Sequence, residues 1–183
     1  MTRAAPERRA DILAAAGRRF ARSGYRGTSL QDIAADVGCS KAAVLYHFAD
    51  KKAILAELVA RPIDQLRELD ERIAGASSPA EAQRIAAEGF VDLVVRFRRE
   101  TAFLRGEFPG LFQQPPFSHL QHIPDRLVHA FAGHSDRPAA QVAALVILAG
   151  IAETCGEEFI DLPEAELRPA LLALVRRALE PVN

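Results

Sequence analysis

The chain has 183 residues, of which 49% are apolar and 26% charged, a balance typical of a globular protein with a buried core. No stretch approaches the roughly 18 consecutive apolar residues of a membrane-spanning helix, and the first residues lack the apolar segment of a signal peptide. Cys39 and Cys155 are far apart in the sequence, so we expect a cytoplasmic protein without a disulfide framework.

The net charge of −1 conceals an uneven distribution along the chain. Residues 1–52 contain ten lysines and arginines but only five acidic residues, whereas acidic residues outnumber basic ones in residues 53–183. All three lysines, Lys41, Lys51 and Lys52, belong to the basic segment. A basic N-terminus on an acidic body predicts that the N-terminus binds a polyanion.

The apolar spacing of the first residues predicts an amphipathic helix. Ile12, Ala16 and Phe20 fall on one face of that helix. Gly24 follows, and glycine readily adopts the left-handed conformation that ends a helix. We therefore expect the first helix to end at about Ser23.

Two short helices with a tight turn between them are predicted next. Thr28 and Gln31 have the spacing of a capping box, which predicts a second helix over 29–36. A turn centred on Gly38 follows, and Ser40 is placed to cap a third helix over 41–47. The residues expected to face inward on this third helix are Val44, Leu45 and Phe48.

This pair of helices has the layout of a helix-turn-helix, whose second helix enters the major groove of DNA. The remaining residues of the third helix would then face outward. Lys41 could reach a phosphate or a guanine edge, and Ala42 or Ala43 a thymine methyl group. Tyr46 and His47 are placed to contact phosphate oxygens.

Helical periodicity continues to the end of the chain, and no alternating pattern indicates a strand. Asp50 can cap a long fourth helix over 51–73, with a kink at Pro62. The further helices are predicted at 80–99, in the first part of 101–112, and at 124–132, 137–159 and 163–179. The sequence therefore predicts an all-α protein.

The order of residues in the basic segment resembles a known family. The segment GYRGTSLQDIA at 24–34, followed by GCSK at 38–41 and LYHF at 45–48, closely resembles the N-terminal domain of the TetR family of regulators. The resemblance covers residues 9–55. It implies a three-helix DNA-binding domain at 1–50 and a helical-bundle domain for ligand binding and dimerisation at 51–183.

The resemblance also implies roles for individual residues. Thr28 matches a helix cap that also meets the DNA backbone, and Tyr46 and His47 match a phosphate-contacting pair. Lys51 matches a lysine that contacts phosphate from the start of the fourth helix, while positions 41–43 are the variable, base-reading ones. The expected DNA-binding residues are Thr28, Ser40, Lys41, Ala42, Ala43, Tyr46, His47 and Lys51.

In such proteins the last two helices pack against their copies in a homodimer. Val142, Leu145 and Val146 are too apolar for a solvent-exposed face, and a second apolar surface recurs between Leu167 and Leu179. A dimer would place two recognition helices on a palindromic site. The alternative is that these residues fill an intramolecular core.

Phenylalanines are concentrated in the middle of the chain, where they could line a pocket for an apolar or aromatic effector. An aromatic stripe at helical spacing is alternatively plain core. The spacing of His119 and His122 could suit a metal, but Pro124 interrupts the segment, and we expect neither a metal nor a cofactor. The candidate ligand-binding residues are Phe97, Phe103, Phe108, Phe112, Phe117, His119, His122 and Glu153.

No nucleophile elbow, phosphate loop or dinucleotide-binding glycine pattern occurs, so we do not expect an enzyme. The sequence favours a transcription regulator, most simply a repressor that binds a palindromic operator as a dimer and is released by a small molecule. The alternatives are an activator and a DNA-binding regulator controlled by a protein partner instead of a ligand.

Overall fold

The computed structural model describes residues 5–103, 112, 115, 117–154 and 162–179. These residues form helices and turns without any strand, which confirms the predicted all-α class. None of the helices in this part of the chain has the length and apolarity to cross a membrane. The helices are α1 (Ala5–Ser23), α2 (Leu30–Val37), α3 (Lys41–His47), α4 (Lys51–Leu58), α5 (Ala60–Ala74), α6 (Pro79–Arg96), α7 (Arg98–Phe103), a 3₁₀ turn (Ser118–Leu120), α8 (Ile123–Phe131), α9 (Pro138–Thr154) and α10 (Glu164–Leu179).

The capping box of α2 lies one residue later than the sequence analysis placed it. The Ser29 hydroxyl accepts the Asp32 N–H at 3.2 Å, and the Asp32 carboxylate accepts the Ser29 N–H at 2.8 Å. The assignment of this role to Thr28 and Gln31 was therefore wrong. Ser29 is the favoured cap because an acid stands three residues after it, so that both partners of the box are satisfied.

The turn between α2 and α3 requires a glycine. Gly38 has a φ of 68°, in the left-handed region that other residues adopt at a cost. This conformation lets the Cys39 N–H donate to the Ala34 carbonyl at 2.9 Å and closes the end of α2. Ser40 then caps α3 as predicted, with its hydroxyl accepting the Ala43 N–H at 3.1 Å.

The predicted long fourth helix is two helices, so the prediction of a single helix was wrong, and the disturbance expected from Pro62 occurs as a break instead of a kink. The break lies at Val59, between α4 and α5, and Pro62 belongs to the first turn of α5. A proline lacks the N–H that would bond the carbonyl four residues earlier, and its ring clashes with that carbonyl. The carbonyl concerned is that of Leu58, so the helix breaks one turn before the proline.

The helix predicted over 80–99 also divides, because α6 ends at Arg96 and α7 begins at Arg98. Phe97, between them, has a φ of −112° and a ψ of 39° and leaves the helical conformation. The short helix predicted to start at Thr101 begins three residues earlier, and its continuation lies outside the described residues. For the helix predicted over 137–159, the structure gives α9, and the residues after Thr154 are again outside that range.

The apolar core consists of two clusters. The first cluster joins α1, α2 and α3 to α4 and α5, and its fully buried members include Ile12, Phe20 and Ile54. Phe112, Phe117, Leu120 and Ile123 also belong to it. The second cluster lies among α5, α6, α8, α9 and α10, and its largest fully buried side chain is Phe131. Leu93 packs against both clusters and joins them.

Helix α6 is the centre of the C-terminal bundle, since it packs against α5, α8, α9 and α10. A Cβ at Gly89 would lie 2.3 Å from a methyl carbon of Leu69, so glycine permits the close approach of α5 to α6. The guanidinium of Arg168 on α10 donates to the Asp92 carboxylate on α6 at 2.6 Å. These contacts leave one side of α9 without an intramolecular partner among the described residues.

Candidate DNA-binding site

Helix α3 is anchored by one face and exposes the other. Val44 is fully buried and Phe48 is 3% exposed, and both pack in the first cluster. On the opposite side Lys41, Ala42 and Tyr46 are exposed, with Tyr46 at 83%. An aromatic side chain so exposed on a well-packed helix is available to contact a partner.

The remaining predicted residues of α3 are less exposed than expected. Ala43 and His47 are half-buried, and the His47 ring contacts the Tyr46 ring edge-on with centroids 5.1 Å apart. Leu45, by contrast, was wrongly predicted to face inward, because it is 43% exposed. The buried positions 44 and 48 are four residues apart and define the inner face, so position 45 lies one step away from that face.

Ion pairs hold the recognition unit on α1. The Arg19 guanidinium donates to both oxygens of Asp36 on α2, at 2.7 and 2.6 Å. This bidentate pair lowers the pKa of Asp36 below its ordinary value. Arg9, nearer the start of α1, pairs with Glu57 of α4. Its guanidinium carbon lies 4.6 Å from the centre of the Phe48 ring. Helices α2, α3 and α4 are therefore all tied to α1.

Thr28 does not present its side chain to solvent. The residue is 3% exposed, and its hydroxyl donates to the Gly24 carbonyl at 2.9 Å. This bond joins the end of α1 to the start of α2. Ser29, the actual cap, is exposed at the same end of α2, and its hydroxyl and N–H lower the pKa of Asp32.

The side chain of Lys51 turns towards the same α1–α2 connection. Its ammonium donates to the carbonyls of Tyr25 and Thr28, both at 2.7 Å, and lies 4.2 Å from the centre of the Tyr25 ring. Lys51 is half-buried, whereas the next residue, Lys52, is exposed.

The candidate ligand-binding residues that the structure describes do not form one group. Phe112 and Phe117 are buried in the first cluster, beside residues of the DNA-binding helices, and Phe97 is 9% exposed. His119 and Glu153 are exposed. The side chain of Phe103 and the whole of Phe108 lie outside the described residues. The effector site therefore stays a prediction.

His122 contacts a buried carboxylate that the sequence analysis missed. Its Nε2 lies 3.2 Å from Oδ2 of Asp70, which also accepts a bond from Arg126 at 3.0 Å. Asp70 is 6% exposed, and its Oδ1 has no hydrogen-bond partner in the described part of the chain. Only the tertiary packing of α5 against α8 brings these residues together, and no sequence motif signals it.

A surface groove of about 350 Å³ lies elsewhere, between α6 and α10. Its lining combines apolar residues with the charged side chains of Arg84, Glu88 and Arg176. None of the candidate ligand-binding residues lines it. Among the described residues, no three histidine, cysteine or acidic side chains cluster as a metal site would require.

Comparisons with known proteins agree with this geometry. A sequence profile described as "Bacterial regulatory proteins, tetR family" matches residues 12–58. The chain is 41% identical over 73 residues to the HTH-type transcriptional regulator TtgR of Pseudomonas putida, a match that covers 40% of this chain and 33% of that regulator. The matched part thus spans about a third of this relative's length.

Solved structures extend the likeness of fold over nearly the whole chain. The ketosteroid transcriptional regulator KstR2 of Mycobacterium tuberculosis aligns with a TM-score of 0.66 and 20% identity, covering 94% of this chain and 93% of its own. The TetR-family member SCO3833 of Streptomyces coelicolor A3 aligns with a TM-score of 0.69 and 19% identity, covering 94% and 90%. Over residues 12–58 the chain is therefore similar to the bacterial regulatory proteins of the TetR family, and over 94% of its length it shares the fold of these two solved regulators.

Proposed function

We propose that the chain is a cytoplasmic transcription regulator that binds double-stranded DNA through α3. The observation that carries this proposal is the outer face of α3, where Lys41, Ala42, Leu45 and Tyr46 are exposed on a helix whose inner face is fully packed. A helix supported in this way can enter a major groove about 12 Å wide. The excess of basic residues within positions 1–52 supplies the attraction to phosphate.

The regulator would act as a homodimer through α9 and α10. Val142, Leu145 and Val146 on α9 are 58%, 53% and 65% exposed, and Leu174 on α10 is 49% exposed. Large apolar side chains clustered on one surface favour association with another protein surface. A twofold axis there would present two copies of α3 to successive major grooves, about 34–36 Å apart.

An apolar or aromatic small molecule would release the DNA. Phe112 and Phe117 share an apolar cluster with Ile54 and Leu55 of α4, so the candidate effector region and the DNA-binding helices are packed against each other. A ligand that prefers a repacked form of this cluster would shift α4, and with it the separation of the two recognition helices. The shift in DNA affinity cannot exceed the ligand's preference between the two forms. We propose that release by such a ligand ends repression, so that the regulator acts as a repressor.

DNA binding is tested by selecting duplexes from a random-sequence pool with the purified protein, then measuring binding of the selected duplex by fluorescence anisotropy. We expect a palindromic site that binds at least about 10³-fold more tightly than random DNA. Tyr46→Ala should weaken binding to both duplexes alike, because a phosphate contact carries no sequence information. Lys41→Ala should weaken binding to the selected duplex more. If no duplex were enriched, the proposal would be wrong.

The dimer is tested with Leu145→Glu, which places a charge in the exposed apolar face of α9. We expect a monomer with unchanged helix content and weak DNA binding, measured by analytical ultracentrifugation and anisotropy. Gln121→Glu adds the same charge at an exposed position at the end of the 3₁₀ turn and serves as the control. A dimer that survives the Leu145 substitution would remove this face from the proposed interface.

A further inference from the structure

Lys51, the first residue of α4, has an unusual set of partners for a surface lysine. Its ammonium has three N–H donors, and two of them are directed at the carbonyls of Tyr25 and Thr28, each 2.7 Å away. The Tyr25 ring lies against the same ammonium, 4.2 Å from ring centre to nitrogen, at a distance that suits a cation–π contact. The charge of Lys51 is therefore engaged within the protein.

The two carbonyls belong to the turn that connects α1 to α2. The turn is tight, because a Cβ at Gly27 would lie 2.3 Å from the Ser23 carbonyl oxygen. Thr28 spans it with a backbone bond to the Tyr25 carbonyl at 3.3 Å and a hydroxyl bond to the Gly24 carbonyl. Both carbonyls accept an N–H of the Lys51 ammonium in a part-buried setting, where a backbone carbonyl without a donor would be costly. Lys51 supplies a donor to each side of the turn.

We propose that Lys51 is a positioning residue that holds the α1–α2 turn, and so the capped start of α2, in the geometry that presents α3 to DNA. This role differs from the phosphate contact that the family resemblance implies. An ammonium that moved out to a phosphate would give up its bond to the Thr28 carbonyl and would leave the Tyr25 carbonyl with the Thr28 N–H as its donor. The inference rests on the proposed DNA binding, because the turn matters through its effect on α3.

The neighbouring lysine offers a matched control. Lys52 carries the same charge on the same first turn of α4, but its side chain is exposed. Lys51→Met removes the donors and keeps the aliphatic stem, whereas Lys51→Arg keeps donors and charge. Lys52→Met removes an equal charge from an exposed side chain and leaves the bonds of Lys51 to the α1–α2 turn in place. Lys51→Gln, which retains an N–H donor, is the milder variant if Lys51→Met folds poorly.

The first measurement is hydrogen exchange of the backbone amides of residues 25–32 in the free protein. We expect exchange to be at least about tenfold faster in Lys51→Met, unchanged in Lys52→Met, and within about threefold of wild type in Lys51→Arg. In Lys51→Gln the turn should exchange more slowly than in Lys51→Met. Wild-type exchange in Lys51→Met would overturn the proposal, because the turn would then not depend on the ammonium.

The second measurement is anisotropy binding to the selected duplex over a range of salt concentrations, well below the melting temperature of each variant. We expect Lys51→Met to bind about tenfold more weakly at every salt concentration, with the slope of log affinity against log salt retained, and Lys51→Arg to restore binding. A lost phosphate contact would instead reduce the slope by about 0.9 per contact, and that result would overturn the proposal.

The two tests separate this inference from the proposed function. Failure of the wild-type protein to bind any duplex would refute DNA binding itself. A wild-type protein that binds, together with a Lys51→Met variant whose slope falls by about two units per dimer, would leave the proposed function intact and refute the positioning role alone.

Discussion

The N-terminal and C-terminal regions of the chain differ in how their helices are determined. Helices α2 and α3 have eight and seven residues and are defined by local signals. A serine caps the start of each helix, and the left-handed Gly38 ends α2. Helices α6 and α9 have 18 and 17 residues; Ser78 caps the start of α6, but the place of both helices in the bundle depends on long-range packing. Short helices are marginal by themselves, so caps and the contacts with α1 are needed to hold α3 in place.

The two regions also expose different chemistry. The N-terminal region presents Lys41 and Tyr46 on a basic surface that suits DNA, while α9 presents Val142, Leu145 and Val146, which suit another apolar protein surface. Each region therefore exposes, among the described residues, a face for which a partner is proposed.

The largest expected effect is that of truncating a core phenylalanine in either region. Phe20 and Phe131 are both fully buried, and Phe→Ala at such a site lowers the free energy of unfolding by about 3–5 kcal/mol. The chain has two tyrosines, Tyr25 and Tyr46, and no tryptophan, so tyrosine fluorescence reports on the N-terminal region alone. Circular dichroism reports on all helices.

If the two clusters are separate cooperative units, Phe20→Ala should move the urea transition seen by tyrosine fluorescence more than the transition seen by circular dichroism. Phe131→Ala should do the reverse. Coincident shifts of both probes in both variants would show that Leu93 and the shared helix α5 make the molecule unfold as one unit.

The N-terminal region was more predictable from the sequence than the C-terminal region. The bounds of α3, the turn at Gly38 and the cap at Ser40 were predicted correctly, since each depends on residues within a few positions of one another. The errors at Thr28 and Leu45 were errors of one residue in register. The spacing of Ser29 and Asp32, which form the capping box, is the local signal that would have corrected the error at Thr28.

The C-terminal region was less predictable for a physical reason. The break at Val59 had a local signal in Pro62, but no proline or glycine adjoins the break at Phe97, and the apolar sequence of α9 does not reveal which of its sides is buried. Leu148 and Ile151 are in the core, whereas Leu145 and Val146 are exposed. The contact of Asp70 with His122 and Arg126 joins residues more than 50 positions apart, and nothing in their local sequence indicates it.

A smaller effect is expected from adding one methyl group to a glycine in each region. Gly38→Ala should lower the free energy of unfolding by about 1–2 kcal/mol, because its φ of 68° is strained for alanine although the space is open. Gly75→Ala, at a φ of −85°, should raise it by about 0.4–1 kcal/mol by restricting the unfolded chain. Urea unfolding measures both changes in the free energy of unfolding. If the two substitutions changed it in the same direction and by the same amount, the φ angle of the glycine would not determine the effect.

The smallest expected effect concerns the pH dependence of the ion pair between α1 and α2. The Arg19 guanidinium lowers the pKa of Asp36 in the folded protein. A carboxyl group with a depressed folded pKa contributes stability above its unfolded pKa, about 3.9, and this contribution is lost as the pH falls through the folded pKa. The melting temperatures of wild type and Asp36→Asn should therefore differ at about pH 7 and converge towards about pH 3.

Glu81 gives the matched case in the C-terminal region, because its pKa is lowered by the hydroxyl and N–H of Ser77 at the start of α6. Glu81→Gln should change the acid-range melting seen by circular dichroism while leaving the tyrosine transition in place. Asp36→Asn should act mainly on the tyrosine transition. A difference between wild type and Asp36→Asn that stays constant from about pH 7 to about pH 3 would show that the Arg19–Asp36 pair does not stabilise the recognition unit through its charge.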